Sequence, residues 1–501
     1  MTEADKKEKR IKNILAYLSP SVLSAIIPFI TFPIMTRYLT PKDFGLIALA
    51  QTFPSIIANA MTFNVNVGAE RYYFEYRKNI NDLGGLVNTT IVFLSIMFLV
   101  SAPAVFLLKT VISNFVMGSP EYSSAIIVSY IGIAFGILFN FCLLMYRNME
   151  DGKRYSFYTI VQMLVNTALG LTLVVFFGAG YMGVIYATLA SVSIAFSMMY
   201  FNFLRKLPFS WNTKMLKDNL KYGIPLLPSL FTGSIYGFFD KYLLRAVDSL
   251  ASAGLFSIAQ NVSNKLFVFM TAVQSTFHPI FMKEMFDKGD EGSASIGRNF
   301  TIFTYISLSA VIMMVLFGEE FFRIMAPPSY GKAINVMLIL LCGISTQTFG
   351  KLVGAQIAYV KKAYLSFPVS VLSLLINVGL NLILIPKFGP MGAGLSMTIT
   401  ILTINTIFVI ISQRFYKIKY EKNLLFQLYL NIFISAIVLI LFRHAGIHPA
   451  AKYGVKIIAL FVFIYMGVKA RIITRTNIIS ILNIFKLKKP ATPENGELNK
   501  F

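Results

Sequence analysis

Apolar stretches of about twenty residues, separated by short polar connections, run through almost the whole chain. Solid apolar runs of this length predict helices that cross a bilayer, and they exclude an outer-membrane barrel, whose strands alternate apolar and polar positions. The pattern therefore predicts an all-α integral membrane protein with about 14 spans. The last span is the shortest, which leaves thirteen as an alternative. The predicted spans are residues 14–38, 44–65, 83–108, 125–145, 157–177, 182–204, 222–244, 253–276, 300–322, 333–360, 364–385, 391–415, 424–442 and 453–468.

Composition agrees with this class, and charge adds an orientation. Of 501 residues, 56% are hydrophobic and only 13% are charged, yet the formal net charge is +23. Most of the 45 Lys and Arg residues fall in the terminal segments and connections on the side of the amino terminus. Because cytoplasmic loops are enriched in Lys and Arg, both termini are predicted to be cytoplasmic. We attribute the basic balance to topology and to anionic membrane lipids, and we expect no nucleic-acid partner.

Short motifs recur at a separation of about 205 to 211 residues, which predicts two homologous lobes. Each lobe would hold six spans, so the two copies should share one orientation in the membrane. The predicted divisions are an amino-terminal lobe at 1–204, a cytoplasmic linker at 205–221, a second lobe at 222–415, an added helix pair at 416–469 and an amphipathic or disordered tail at 470–501. The matching motifs are Tyr17–Pro20 with Tyr222–Pro225, Gly45–Gln51 with Gly254–Gln260, and Phe177-Gly178 with Phe388-Gly389.

A family resemblance rests on three segments: the opening 37–45, the pair Asn377 and Asn381, and the run 385–394. Together they resemble the polysaccharide-transporter branch of the multidrug/oligosaccharidyl-lipid/polysaccharide (MOP) exporter superfamily, and in particular the O-antigen flippases of the Wzx type. The resemblance implies a MATE-like bundle of two six-helix lobes in the bacterial inner membrane, acting as a transporter and not an enzyme. It also implies an undecaprenyl-diphosphate-linked oligosaccharide as substrate, moved to the periplasmic leaflet, with polysaccharide polymerase or assembly proteins as possible partners.

Cationic residues inside or at the ends of the spans are candidates for contact with a diphosphate headgroup, because a buried anion needs positive or hydrogen-bonding neighbours. Lys265 and Lys351 lie well inside their spans, where a lysine usually faces a cavity and not lipid. The others lie at span ends, where extension to the membrane surface is the simpler interpretation. These are Arg37, Lys241, Arg245 and Arg71.

Asp240 is the carboxylate best placed for coupling transport to an ion gradient, since it lies within a span. Asn377 and Asn381 are four residues apart and would share one helix face, where their oxygens could join Asp240 in holding Na⁺ or H⁺. Two simpler interpretations stay open: a local salt bridge of Asp240, and hydrogen bonds between helices for the asparagines. Beyond this ion, the sequence predicts no cofactor and no firm metal site.

Two other function classes compete with the flippase. A multidrug or cation antiporter of the same superfamily would share the fold, but the mid-span lysines favour an anionic substrate. A membrane glycosyltransferase or polysaccharide polymerase would need acidic groups or a large loop outside the membrane. The sequence contains no phosphate-binding loop of the G-x-x-x-x-G-K-[ST] form, and its three histidines lack metal-ligand spacing.

Overall fold

The fold consists of α-helices joined by short turns. In the computed structural model the described residues are 19–474, apart from positions 21, 22, 25, 361 and 447. Most of the predicted tail therefore lies outside the described residues. The helices are α1 (26–38), α2 (Pro41–Met61), α3 (Val65–Tyr76), α4 (Ile80–Leu107), α5 (Lys109–Met117), α6 (Ser123–Asn148), α7 (Gly152–Leu171), α8 (Gly180–Asn202), α9 (Thr213–Gly223), α10 (Leu227–Val247), α11 (Leu250–Lys288), α12 (Ser293–Met325), α13 (Lys332–Ser345), α14 (Gln347–Tyr359), α15 (Ser366–Phe388), α16 (Pro390–Phe415), α17 (Lys422–His444) and α18 (Pro449–Lys469).

Within the described ranges, eleven helical stretches are long and apolar enough to cross a bilayer. One of them, Leu250–Met325, comprises both α11 and α12. Two further predicted spans correspond to α1, whose described part is short, and to α10, which carries several charged residues. The prediction of an all-α membrane protein is confirmed, with a number of spans close to the fourteen predicted.

The chain forms two compact units, and their borders differ from those of the predicted lobes. The lobe borders follow the sequence repeat, so they stay a prediction. The first unit comprises Met1–Val268, Gly318–Gln347 and Lys361–Ile411, and the second comprises Phe269–Phe317, Thr348–Val360 and Ser412–Phe501.

The start of α2 shows how local sequence sets a helix boundary. The side chain of Thr40 accepts a hydrogen bond from the backbone N–H of Asp43, and the Asp43 carboxylate accepts one from the backbone N–H of Thr40. Pro41 follows at the first helical position, where its missing N–H costs nothing. This capping box starts α2 directly after α1 ends.

Helix α10 runs through the first unit between α2 and α15. On the α2 side, the ring of Phe53 lies 5.5 Å from that of Phe238, and Asn59 donates a hydrogen bond to Ser234 Oγ at 3.2 Å. The opposite side of α10 packs against α15. A charged residue on that side is consequently enclosed by protein.

The recurring Phe-Gly of the sequence repeat marks a shared backbone feature. Gly178, after the π-helical turn Thr172–Phe176, has a φ of +63°, and Gly389, at the end of α15, has a φ of +54°. Positive φ is strained for residues that carry a Cβ, so glycine suits both helix ends. The two halves therefore share a positive φ at the glycine of the repeated motif.

The second unit has an aromatic core. Phe281, Phe300 and Phe303 are fully buried there, together with Tyr416 from the connection before α17. The hydroxyl of Tyr416 donates a hydrogen bond to the Gly289 carbonyl at 2.6 Å. These contacts hold the ends of α11, α12 and α17 together within this unit.

Candidate functional site

Asp240 lies within α10 and is fully buried in the first unit. Helix α15, packed against α10, carries Asn377 and Asn381, which are also fully buried and share one helix face. The amide nitrogen of Asn381 donates hydrogen bonds to Asp240 Oδ1 at 2.5 Å and to Asn377 Oδ1 at 2.9 Å. The structure thus brings together the three residues predicted as an ion-coupling site, here named the Asp240 group.

Several oxygens at this place have no hydrogen-bond partner among the described residues. They are Asp240 Oδ2, Asn381 Oδ1 and the hydroxyl of Tyr236, which lies one turn before Asp240 on α10. Buried polar atoms are ordinarily paired, because an unpaired one loses its hydration without compensation. One carboxylate with neutral oxygen donors suits a proton or a monovalent hard cation, whereas divalent ions generally take more carboxylates. The donor set therefore fits the predicted Na⁺ or H⁺.

Lys241 is next to Asp240 in sequence but does not pair with its carboxylate. Its ammonium donates to the Gly237 carbonyl at 3.1 Å, one turn back along α10. Successive residues of a helix point in different directions, which explains why adjacency produces no ion pair. Of the two simpler interpretations, the structure shows the hydrogen bonding between helices, since Asn381 joins α15 to Asp240 on α10.

Three of the predicted cationic residues are not part of the Asp240 group: Arg37 and Arg245 lie near helix ends, and Arg71 lies within the short helix α3. Arg245 donates from Nη2 to the Asn114 carbonyl at 2.5 Å, which ties the end of α10 to α5. Arg71 on α3 forms an exposed ion pair with Glu75 at 2.8 Å. Arg37 is exposed at the end of α1. The structure does not gather these three residues into one site.

The two lysines predicted inside spans belong to different units. Lys265 is exposed on the part of α11 in the first unit, and Lys351 is half-buried on α14 in the second. Both lie in stretches apolar enough to cross a bilayer, where an ammonium group normally faces protein or water. Neither is part of the Asp240 group, and their contact with substrate stays a prediction.

A mainly apolar cavity that the sequence did not reveal lies among α2, α6 and α8 in the first unit. Its volume is about 210 Å³, and its polar lining includes Gln51, Ser129, Asn140 and Thr188. The available signal was the place of Gln51 at the end of the repeated motif. Tyr236, one turn before Asp240 on α10, was also missed, although its spacing of four residues from Asp240 predicts a shared face.

The family described as "Polysaccharide biosynthesis protein" matches residues 11–285, more than half of the chain. The chain belongs to this family. The chain is 21% identical over 408 residues to the "Capsular polysaccharide biosynthesis protein CapF" of Staphylococcus aureus. The match covers 78% of this chain and 96% of that protein. It is 23% identical over 287 residues to the "Probable low-salt glycan biosynthesis flippase Agl15" of Haloferax volcanii, a match that covers 56% of this chain and 59% of that protein.

Solved structures show the fold of this family member. The "Lipid II flippase MurJ, inward closed conformation" aligns with a TM-score of 0.70 at 12% identity, covering 93% of this chain and 100% of that one. An inward-facing "multidrug resistance MATE family transporter of the MOP superfamily" aligns with a TM-score of 0.66 at 16% identity, covering 80% and 97%. The predicted resemblance to the MOP exporters is confirmed.

Proposed function

We propose that this chain is a flippase for lipid-linked oligosaccharides used in polysaccharide assembly. One observation carries the proposal: a member of a polysaccharide biosynthesis family is built from apolar helices that can cross a membrane. Such a protein is suited to moving a polysaccharide precursor through the bilayer. The names of two similar proteins, the Agl15 and MurJ flippases, support the same activity.

The proposed substrate is an undecaprenyl-diphosphate-linked oligosaccharide, moved from the cytoplasmic to the periplasmic leaflet. Its diphosphate is the group that hydrocarbon excludes most strongly. Lys265 and Lys351, each within an apolar stretch, supply positive charge where this anion would need it. O-antigen units are one substrate of this chemistry, and a polymerase that consumes the flipped lipid would be a natural partner.

Alternating access coupled to Na⁺ or H⁺ would drive the movement, with the Asp240 group as the coupling site. An ionised carboxylate buried between α10 and α15 is costly unless its charge is compensated. A bound cation would supply that compensation and stabilise the observed packing of the two helices, while its release would favour a state in which they separate. The ion would thereby shift the populations of the two states.

A multidrug or cation antiporter is the second candidate, and the fold likeness to a MATE transporter supports it. The two functions differ in the charge that the cargo requires. A cationic drug would use acidic contacts, whereas the charged candidates inside the apolar stretches are Lys265 and Lys351. Family membership also favours polysaccharide precursors over drugs. A membrane glycosyltransferase or polymerase remains a less favoured third class.

Expression in a bacterial host that lacks its own oligosaccharide flippase tests the proposal against these rivals. We expect the chain to restore surface polysaccharide and to leave resistance to cationic drugs unchanged, with the empty vector as control. A strain that gains drug resistance without surface polysaccharide would support the antiporter. Synthesis of new polysaccharide from a precursor that is already on the outer leaflet would support a membrane glycosyltransferase or polymerase.

A further inference from the structure

A strongly basic pocket lies in the second unit where the first turn of α17 meets the end of α18. Its volume is about 750 Å³. Glu421 is the acidic residue among its described lining residues. The cationic lining residues are Arg298, Lys422, Lys469 and Arg471. We refer to this cavity as the basic pocket.

Arg298 holds the walls of the basic pocket together. Its Nη1 donates to Glu421 at 3.3 Å, and its Nη2 donates to the Ala470 carbonyl at 2.5 Å, so one guanidinium joins α12 to the start of α17 and the end of α18. Glu421 offsets the charge of Arg298. The other three cations are exposed and leave the pocket positive.

An apolar groove between α17 and α18 continues from the basic pocket, and Gln427 lines both. Within it, Asn431 donates to the Ala459 carbonyl at 3.0 Å, and the Ser435 hydroxyl donates to Asn431 Oδ1 at 3.2 Å. These polar groups are satisfied within the helix pair, so the groove presents an apolar surface. From position 427 to 435 it runs for about 12 Å at 1.5 Å per residue. The apolar lining includes Leu430, Ile434, Val455, Ile458, Val462 and Met466.

We propose that the basic pocket and the apolar groove bind one anionic phospholipid, with its phosphate in the pocket and an acyl chain in the groove. The adjoining polar and apolar halves match the two halves of a lipid, and basic pockets between helices on the cytoplasmic side suit anionic headgroups. The chain that follows the pocket is itself basic from Arg475 to Lys489, so charge disfavours that segment as the occupant. This inference does not depend on the proposed transport activity.

Native mass spectrometry of the purified full-length protein tests the site with phosphatidylglycerol and phosphatidylcholine of matched acyl chains. We expect phosphatidylglycerol to bind roughly tenfold more tightly, with the preference reduced by salt. The double variant Lys422→Ala and Lys469→Ala should lose roughly tenfold in phosphatidylglycerol affinity. The matched control, Lys214→Ala with Lys217→Ala, removes the same charge from exposed positions of α9 and should bind as the unmodified protein does.

A second pair of variants tests the groove. Ile458 and Ile457 are neighbours on α18 and similarly exposed, at 65% and 67%, but only Ile458 is among the groove residues. Ile458→Trp should weaken phosphatidylglycerol binding several-fold, and Ile457→Trp should not. Thermal unfolding of every variant checks folding, and Gln replaces Ala at both lysines if the Ala variant is unstable.

Three outcomes would overturn the proposal. Equal binding of phosphatidylglycerol and phosphatidylcholine would show that the headgroup charge is not recognised. Displacement of phosphatidylglycerol by inorganic phosphate at similar concentration would show a phosphate site without a lipid component. Displacement by undecaprenyl phosphate at far lower concentration would show that the occupant is a polyprenyl lipid.

Discussion

Gly45 and Gly254 bring the first turns of α2 and α11 into backbone contact. A Cβ added at Gly254 would lie 2.7 Å from the nitrogen of Gly45, and one added at Gly45 would lie 3.2 Å from the nitrogen of Gly254. The same additions would also meet the carbonyl oxygens of Pro41 and Leu250, which begin the two helices. Both glycines open the repeated motif, so the contact is self-complementary in the way of a twofold interface.

Replacement of Gly45 or Gly254 by alanine should disturb this contact, because backbone atoms cannot yield to a methyl group as a flexible side chain can. If the contact closes one side of the transporter, each variant should slow transport roughly tenfold or more, in line with the loss of one to two kcal/mol at a key packing contact. Transport by reconstituted protein is the measurement. Gly233→Ala is the control, since a Cβ there meets nothing within 4 Å. Normal transport by both variants would exclude a role for the contact in the cycle.

Asp240→Asn tests the coupling site, because it removes the carboxylate charge and keeps the shape of the side chain. We expect transport to lose its dependence on a Na⁺ or pH gradient while the protein remains folded, since a neutral amide is cheaper to bury than an unpaired carboxylate. Transport should be measured with and without each gradient. Asp248→Asn, at the exposed end of α10, is the matched control. Unchanged gradient dependence of the Asp240 variant would refute the assigned role.

Helical periodicity predicts part of this site and no more. The spacing of Asn377 and Asn381 is enough to predict one shared face of α15. That α10 is the helix packed against this face depends on tertiary structure, which local pattern does not contain. Adjacency in sequence does not predict an ion pair either. Lys241 follows Asp240 directly, yet its ammonium donates to the Gly237 carbonyl.

Sites that are assembled from distant segments could not be predicted from the sequence. Arg298, Glu421 and Ala470 come from three separate helix ends, and only the folded chain joins them. The fold class, in contrast, follows from the length of the apolar runs, because a bilayer imposes that length on every helix that crosses it. The repeat is visible in the sequence because glycine is favoured at the same places in both copies. Gly45 and Gly254 each face the backbone of the other's helix, and Gly178 and Gly389 both have a positive φ.

Lys265 and Lys351 are predicted to contribute positive charge to the substrate path. Replacement of either by alanine should lower transport of a diphosphate-linked lipid roughly tenfold, as expected for the loss of one charge-assisted contact, and arginine should retain part of the activity. Initial transport rates at matched protein content are the measurement. Lys387→Ala, at the exposed end of α15, should transport normally. Full activity of both alanine variants would show that the substrate does not depend on the charge of these lysines.

The predicted orientation can be tested by labelling single cysteines from either side of the membrane. Lys283→Cys should react from the cytoplasmic side and Glu121→Cys from the opposite side, because both positions are exposed and the Lys and Arg distribution places them on different sides. The native cysteines, Cys142 and Cys342, are buried and should contribute little background. The reverse labelling pattern would show that the predicted orientation is wrong.

The most direct test is translocation of a fluorescent undecaprenyl-diphosphate-linked oligosaccharide in liposomes that contain only this protein. A membrane-impermeant quencher added outside reports how much of the lipid reaches the outer leaflet. The account predicts that an imposed Na⁺ or pH gradient speeds the loss of protected fluorescence, and that Asp240→Asn removes this acceleration. Protected fluorescence that stays equal to that of protein-free liposomes, with folded protein and either gradient present, would contradict the proposed flippase.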